Sequence, residues 1–317
     1  VKKVNLEHTD ISVNYPPIDY FLDKLRSGNP YYFLKINHGI IDAYVAAYQS
    51  KGKTSELIEL LQMKEYRLIA EQLYKDFADA KWGFKHYNLQ SDAVIDKLEV
   101  FTKVFFEYKN YIPKLEIGIS AGVGLGDVFG TYPPEHSTQV GRLEILKLAT
   151  ELNSDTEYFH SGLFKHYSIM GEVNKLFQTA NECGYNVVML GPLYLRLFGE
   201  HFNIHKFHHI QIPPKGAIDY LDEYIEELLE IHNGKTLFLP SCGHILSTYI
   251  LDKIKDTNII GMDMGRSFDW DIRSNQETQP TMPKGDVWIS PHYQNGIPTN
   301  GDISIAYKEY INNLRNG

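Results

Sequence analysis

Between about residues 165 and 272, short apolar runs alternate with helical patterns, and this alternation constrains the fold more than any other feature of the chain. NVVML (Asn186 to Leu190), HHIQI (His208 to Ile212), TLFLP (Thr236 to Pro240) and NIIGM (Asn258 to Met262) each read as a strand. Helical stretches are expected around Ile169 to Cys183, Ala217 to Ile231 and Ile245 to Ile254. Strands joined through helices need right-handed crossovers, so the expected fold class is α/β with a Rossmann-like, mostly parallel sheet. In the helix from Ala217, Ile218, Leu221, Ile225, Leu228 and Leu229 form one apolar stripe, and the acids between them read as a solvated face.

The upstream half carries the same grammar. YYFLKI (Tyr31 to Ile36) reads as a strand that leads through Asn37-His38-Gly39 into a helix ending near Gln49. KLEIGIS (Lys114 to Ser120) reads as a second strand, opening into a loop that holds Gly122, Gly124, Gly126 and Gly130. Ser55 to Lys109 contains no proline and has apolar residues at three and four, which predicts a helical insertion or lobe over 50–110. The organisation expected is one α/β domain over 1–317, or two tightly packed lobes, with a Rossmann-like nucleotide-binding half over 165–275.

Composition narrows the class. With 317 residues and 43% apolar side chains the chain can bury a large core, and its net charge of -9 argues against nucleic acid as the main partner. Cys183 and Cys242 are isolated, which excludes a disulfide framework or a cysteine zinc site and fits a reducing, cytoplasmic setting. No run approaches the roughly 18 to 20 apolar residues needed to cross a bilayer, and the first ten residues are too polar for a signal peptide. The chain starts with Val1, so a processed product or a piece of a longer polypeptide with further domains is expected. The 22 Tyr and 16 Phe fit either stacking on sugars and bases or a Tyr-rich core.

In a parallel sheet, ligands sit beyond the strand C-termini. Four such turns stand out: Asn37-His38-Gly39, the glycine loop from Ser120, Pro240 to His244, and Asp263-Met264-Gly265. Ser241 and Gly243 suit a phosphate at a helix N-terminus, and equally an ordinary turn with Ser241 as the cap. The glycine loop lacks both the dinucleotide fingerprint and the P-loop ending, and reads as a ligand loop or as a surface loop needing positive φ. His201, His205, His208 and His209 suggest a metal-dependent hydrolase, although their spacing does not converge on one face. Asp269-Trp270-Asp271 is an Asp-x-Asp triplet of the kind that holds Mn or Mg against a diphosphate, or a surface turn.

Taken together, SIMGEVNKLF, NVVMLGPLYLRLFG, IQIPPKGAIDYLDEYIEELLE, LFLPSCGHILSTYILDKI and IIGMDMGRSFDW resemble, in order and spacing, the GT-D-type glycosyltransferases. The matching turns are Gly191, Pro213 to Ala217, Ser241 to His244, and Asp263 with Gly265; the likeness covers about 165–272 and more loosely 30–45. It implies transfer of a sugar from a nucleotide-sugar donor to a glycan hydroxyl, as in polysaccharide assembly. The family's Asp-x-Glu pair would fall on His38 and Ile40, so the implied divalent cation, Mn or Mg, loses its usual ligands, and the transfer is either metal-independent or served by a cation held without that pair.

Breaking a glycosyl phosphate bond leaves negative charge on the diphosphate, which a cation, basic side chains or helix N-termini must stabilise. His38, Lys35, Arg196, Lys165, His166 and the turn Ser241 to His244 are the candidates. The donor-binding set is Asn37, Gly39, Gly122, Gly124, Gly191, Arg196, Ser241, Gly243, His244 and Gly265. An inverting transfer needs a general base, for which Asp42, Asp127, Asp263 and His38 are available. The rival readings are a non-catalytic nucleotide- or carbohydrate-binding domain of a larger enzyme and the histidine-cluster hydrolase.

Overall fold

The computed structural model describes residues 1–6, 9–36, 38–79, 91–112, 114–119, 137–213, 216–265, 267–268, 293–294, 297–298 and 301–316. In chain order the elements that frame the site begin with the hairpin β1 (Lys2–Asn5) and β2 (Ser12–Tyr15), then α1 (Asp19–Ser27), β3 (Tyr31–Ile36) and α2 (His38–Ala47). The helices α3 (Thr54–Gln62), α4 (Tyr66–Asp79) and α5 (Ser91–Tyr111) follow, then β4 (Leu115–Ile119), α6 (Ser137–Leu152), β5 (Tyr158–His160), α7 (Leu163–Ile169) and α8 (Asn174–Glu182). The second half runs β6 (Asn186–Gly191), β7 (Phe207–Gln211), α9 (Leu221–Ile231), β8 (Thr236–Pro240), α10 (His244–Ile254), β9 (Ile260–Met262) and, at the end, α11 (Gly301–Asn316).

Nine strands form one sheet in the order β1-β2-β5-β4-β3-β9-β8-β6-β7. Every pairing is parallel except β1 with β2, as the alternation of strands and helices requires. From β3 the chain steps outward through β4 to β5, then crosses to β6 and returns inward through β8 to β9. The direction of winding therefore reverses between β3 and β9, the place where open α/β sheets form a ligand crevice.

Period-two burial explains how both faces are covered. On β3, Tyr32, Leu34 and Ile36 join a core with Ile41, Tyr44, Phe101, Phe105, Leu146 and Leu251, whereas Tyr31 and Phe33 join Phe21, Phe164, Leu176 and Phe177 on the other side. Tyr32, Tyr44, Tyr48 and Tyr167 are fully buried, so much of the tyrosine content serves the core. The helices expected between 50 and 110 are present as α3, α4 and α5, which lie on the α2 side of the sheet.

Several expectations need adjusting. The helix predicted from Ile169 to Cys183 is two helices, because Gly171 adopts φ 72° and the Glu172 N–H returns to Tyr167 O at 2.7 Å, closing α7 before α8 begins. The stripe on α9 uses Tyr224 where Leu229 was expected; Leu229 is 43% exposed. The helix start at Ala217 is a 3₁₀ turn, Ala217–Tyr220, before α9 proper. The strand expected at His208 to Ile212 sits one residue earlier, the one expected from Lys114 is Leu115–Ile119, and the last begins at Ile260.

Candidate functional site

Four strand ends meet through specific contacts. The Ser241 N–H donates to Leu190 O at 2.7 Å, which ties the end of β8 to the end of β6. The Ser241 hydroxyl donates to Gly265 O at 2.6 Å, which ties β8 to the turn after β9. Gly265 has φ 51°, and a Cβ placed on it would lie 3.5 Å from Lys35 Nζ and 3.9 Å from Asp263 Oδ1, which brings in β3. Gly191 admits no side chain, since a Cβ there would come within 2.5 Å of Leu195 Cδ1 and 3.3 Å of Ser241 Cβ. The Ile212 N–H and the His209 ring both reach Gly191 O, at 3.0 and 3.1 Å.

Ser241 is therefore not the cap of α10. Its hydroxyl is committed to Gly265, and Gly243 opens the helix at φ 92° with no side-chain cap. His244 begins that helix and is half-buried.

Asp263 is the buried acid of the site, 1% exposed. Its N–H donates to Phe33 O at 2.8 Å and its Oδ1 accepts from the Gly265 N–H at 2.9 Å, while Oδ2 is buried without a hydrogen-bond partner. Burial pushes its pKa up to about 6; the nearby Lys35 ammonium, the Gly265 N–H and the Ser247 hydroxyl oppose that rise. A buried carboxylate oxygen without a donor in good geometry is rare, and it leaves the Ser247 hydroxyl and the Lys35 N–H as the groups that can compensate its burial. Beside it Cys242 is buried, and desolvation holds its thiol well above the ordinary range, which makes it inert.

The remaining candidates separate. The Asp42 carboxylate accepts from Arg142 Nε at 2.5 Å and Nη2 at 2.9 Å, a two-pronged tie between α2 and α6 that occupies both its oxygens. His38 and Gly39 open α2. Arg196 is exposed on the 3₁₀ segment after β6, and its charge helps to lower the pKa of His209, whose main cause is burial. Asn37, Gly122, Gly124, Asp127, Asp269 and Asp271 lie outside the described residues.

Neither metal idea gains a donor set here. Ile40, where the family's glutamate would fall, is 3% exposed and packed into the core with Ile41 and Tyr44. Among the described residues no three His, Cys, Asp or Glu side chains come together to hold a metal ion. The four histidines of 201–209 point apart: His205 and His208 are exposed, His201 packs edge-on to Phe202, and His209 donates to a carbonyl. That removes the basis of the hydrolase reading. The described residues do not offer a divalent cation a donor set.

A second group, on the other side of β3, joins Lys35 and His166, both singled out in the sequence, to Tyr15 and His160, which were not. His160 ends β5, Tyr15 ends β2, and His166 lies in α7; Tyr15 Oη is 2.7 Å from His166 Nδ1, and the two imidazoles are 5.1 Å apart. The signal was there in EYFHSG, an aromatic run followed by small residues, which is the same strand-to-turn pattern as the four turns already singled out. Nothing in the sequence tied it to Tyr15 or to Arg315, more than a hundred residues away in each direction.

Two solved structures are similar to this chain. One is described as the selenomethionine-substituted structure of domain of unknown function 1792, with 12% identity, a TM-score of 0.47, and 81% of this chain covering 79% of that one. The other is described with the words "the highly conserved domain of unknown function 1792 has a distinct glycosyltransferase fold", at 12% identity, a TM-score of 0.46 and the same coverage. No family model and no curated protein matches the chain. Among the described residues no helix is long and apolar enough to cross a membrane.

Proposed function

We propose that the chain is a glycosyltransferase that moves a sugar from a nucleotide-sugar donor to a glycan hydroxyl at the crevice between β3 and β9. The observation that carries this reading is that Gly191, Ser241, Asp263 and Gly265, from turns that carry the sequence resemblance, lie in one continuous set of contacts at the winding reversal of the sheet. Glycines leave room for a ligand backbone or ring, and the open first turn of α10 favours negative charge.

Asp263 is the general base in this reading. Its Oδ2 takes the proton of the acceptor hydroxyl as that oxygen attacks the anomeric carbon, and the glycosyl C–O bond breaks with its electron pair leaving on the diphosphate. A pKa near 6 leaves the carboxylate ionised at neutral pH while keeping it basic enough to accept a proton. Basic side chains and helix N–H groups take up the leaving charge, so the reaction proceeds without a divalent cation.

A thermal-shift panel of nucleoside mono- and diphosphates and nucleotide sugars, with and without manganese, tests the reading. A ligand at 100 times its Kd should stabilise the fold by about 2.7 kcal/mol. A diphosphate-specific shift that manganese does not alter is the expected result. A panel without any shift would overturn the reading.

A further inference from the structure

At the β1 edge of the sheet, away from the crevice, an open groove of about 760 Å³ separates the β1–β2 turn from α6. Leu6 and Asp10 line it on one side, and Val140, Leu143, Glu144 and Lys147 on the other. Past the Asp10–Lys147 ion pair, at 3.3 Å, it continues into a second hollow of about 320 Å³ that Thr150 and Glu151 help to line. Ile145, Leu146, Leu148 and Ala149 turn the inner face of α6 into the core, so the groove belongs to the outer face. Val140 is apolar and yet 43% exposed there.

The outer face repeats every seven residues. Val140, Leu143, Lys147 and Thr150 fall at the first and fourth positions of successive heptads, and Glu144 and Glu151 stand beside them at the fifth. A helix receives a second helix in this way, along a seam with one polar residue and with flanking charges that choose the partner. The two glutamates are about 10 Å apart along the helix axis. Neither has an ion-pair or hydrogen-bond partner among the described residues, whereas the Asp10 carboxylate is taken by Lys147. Lys2 and Lys3 guard the β1 edge against an added strand. Three carboxylates against one ammonium repel nucleic acid and anionic lipid and attract a cationic partner. A second copy of the chain supplies none: among the described helices only α11 has Lys or Arg seven residues apart, Lys308 and Arg315, and Glu172 clamps Arg315 at 2.7 and 2.8 Å.

We propose that the groove along α6 receives a basic amphipathic helix of a partner protein, whose apolar stripe covers Val140 and Leu143 and whose Lys or Arg side chains, seven residues apart, pair with Glu144 and Glu151. The exposed Asp10–Lys147 pair adds little to the isolated fold, so its rearrangement under an incoming helix costs little. Burial of the apolar floor supplies affinity, and the paired charges supply register and a fast encounter. The groove and the crevice share no residue, so this docking site stands independently of the transferase reading.

Fluorescence anisotropy of the full chain with a labelled three-heptad peptide tests this. The peptide carries leucine at the first and fourth heptad positions, lysine at the fifth and seventh and alanine elsewhere, and a control peptide has glutamate in place of lysine. The lysine peptide should bind with an affinity that falls as salt rises, and the glutamate peptide should not bind. Glu144→Gln with Glu151→Gln should weaken binding at least tenfold, and Val140→Asp should weaken it as much, with circular dichroism as the check on folding. Glu226→Gln with Glu227→Gln removes the same charge from the exposed face of α9 and should leave binding unchanged. If the lysine peptide does not bind, or if the two glutamine pairs weaken it equally, the docking site is refuted. Sedimentation of the chain alone completes the test: an assembly that the α6 variants break would place a second copy in the groove and overturn the assignment to a basic partner.

Discussion

The strand ends of β6, β8 and β9 carry glycine, a serine and backbone carbonyls around one buried acid, whereas those of β2, β3 and β5 carry Tyr15, Lys35 and His160, with His166 packed against them. Backbone and small side chains accommodate a ring or a hydroxyl closely, and buried basic side chains suit concentrated negative charge. The flanks also answer acid in opposite directions. Asp263 holds its proton more tightly in the folded chain than in the unfolded one, with a pKa of about 6 against 3.8. Ionising it therefore lowers stability progressively as pH rises through that window, and the full cost is present above it. His166 is the reverse. Burial and its cationic neighbours hold its pKa well below 6.5, so the unfolded chain takes the proton first and stability is lost as pH falls below that value.

The comparison can be broken in order of expected effect. Phe198→Ala removes a ring that packs edge-on or tilted, at centroid distances of 4.6 to 5.0 Å, against Phe177, Phe202 and Phe268, and should cost about 3 to 5 kcal/mol in urea unfolding. A loss confined to the β6–β8–β9 flank in hydrogen exchange would show that the two flanks open separately. Asp263→Asn keeps an oxygen for the Gly265 N–H and removes the buried charge, so at pH 7.5 it should stabilise the fold by about 1 to 3 kcal/mol, with the gain vanishing near pH 4. Stability that is equal at both pH values would mean that Asp263 is solvated in solution. Ser241→Ala deletes the 2.6 Å bond to Gly265 O and should cost about 1 kcal/mol. His166→Asn sharpens the contrast by slope alone: the variant should lose part of the acid destabilisation seen below pH 6.5 while changing little at pH 8.

The parallel architecture was legible because each central strand is a short apolar run bounded by a turn, so Thr236–Pro240 could be delimited to the residue. The turns holding Ser241, Asp263 and Gly265 were legible for the same reason, since ligand sites in such sheets follow strands, and Gly191 was reached through the family resemblance. The failures have physical causes too. The hairpin β1–β2 and the three-residue β5 are too short for period-two counting, and Gly171 splits a helix whose apolar spacing continues across the break. The basic flank was legible only through Lys35 and His166, because Tyr15, His160 and Arg315 belong to separate elements and no local pattern links them. Asp42 looked available in sequence, and only the fold brings Arg142 against it, 100 residues further along the chain.

The most direct test of the central claim is release of nucleoside diphosphate from a panel of nucleotide sugars, followed by ³¹P NMR in the presence of a metal chelator. The account predicts slow release from one donor class by wild type, and at least a hundredfold less by Asp263→Asn with donor affinity retained. A chain that binds a nucleotide sugar but never releases its diphosphate, with or without added glycan acceptor, would contradict it and leave a binding module in place of a transferase.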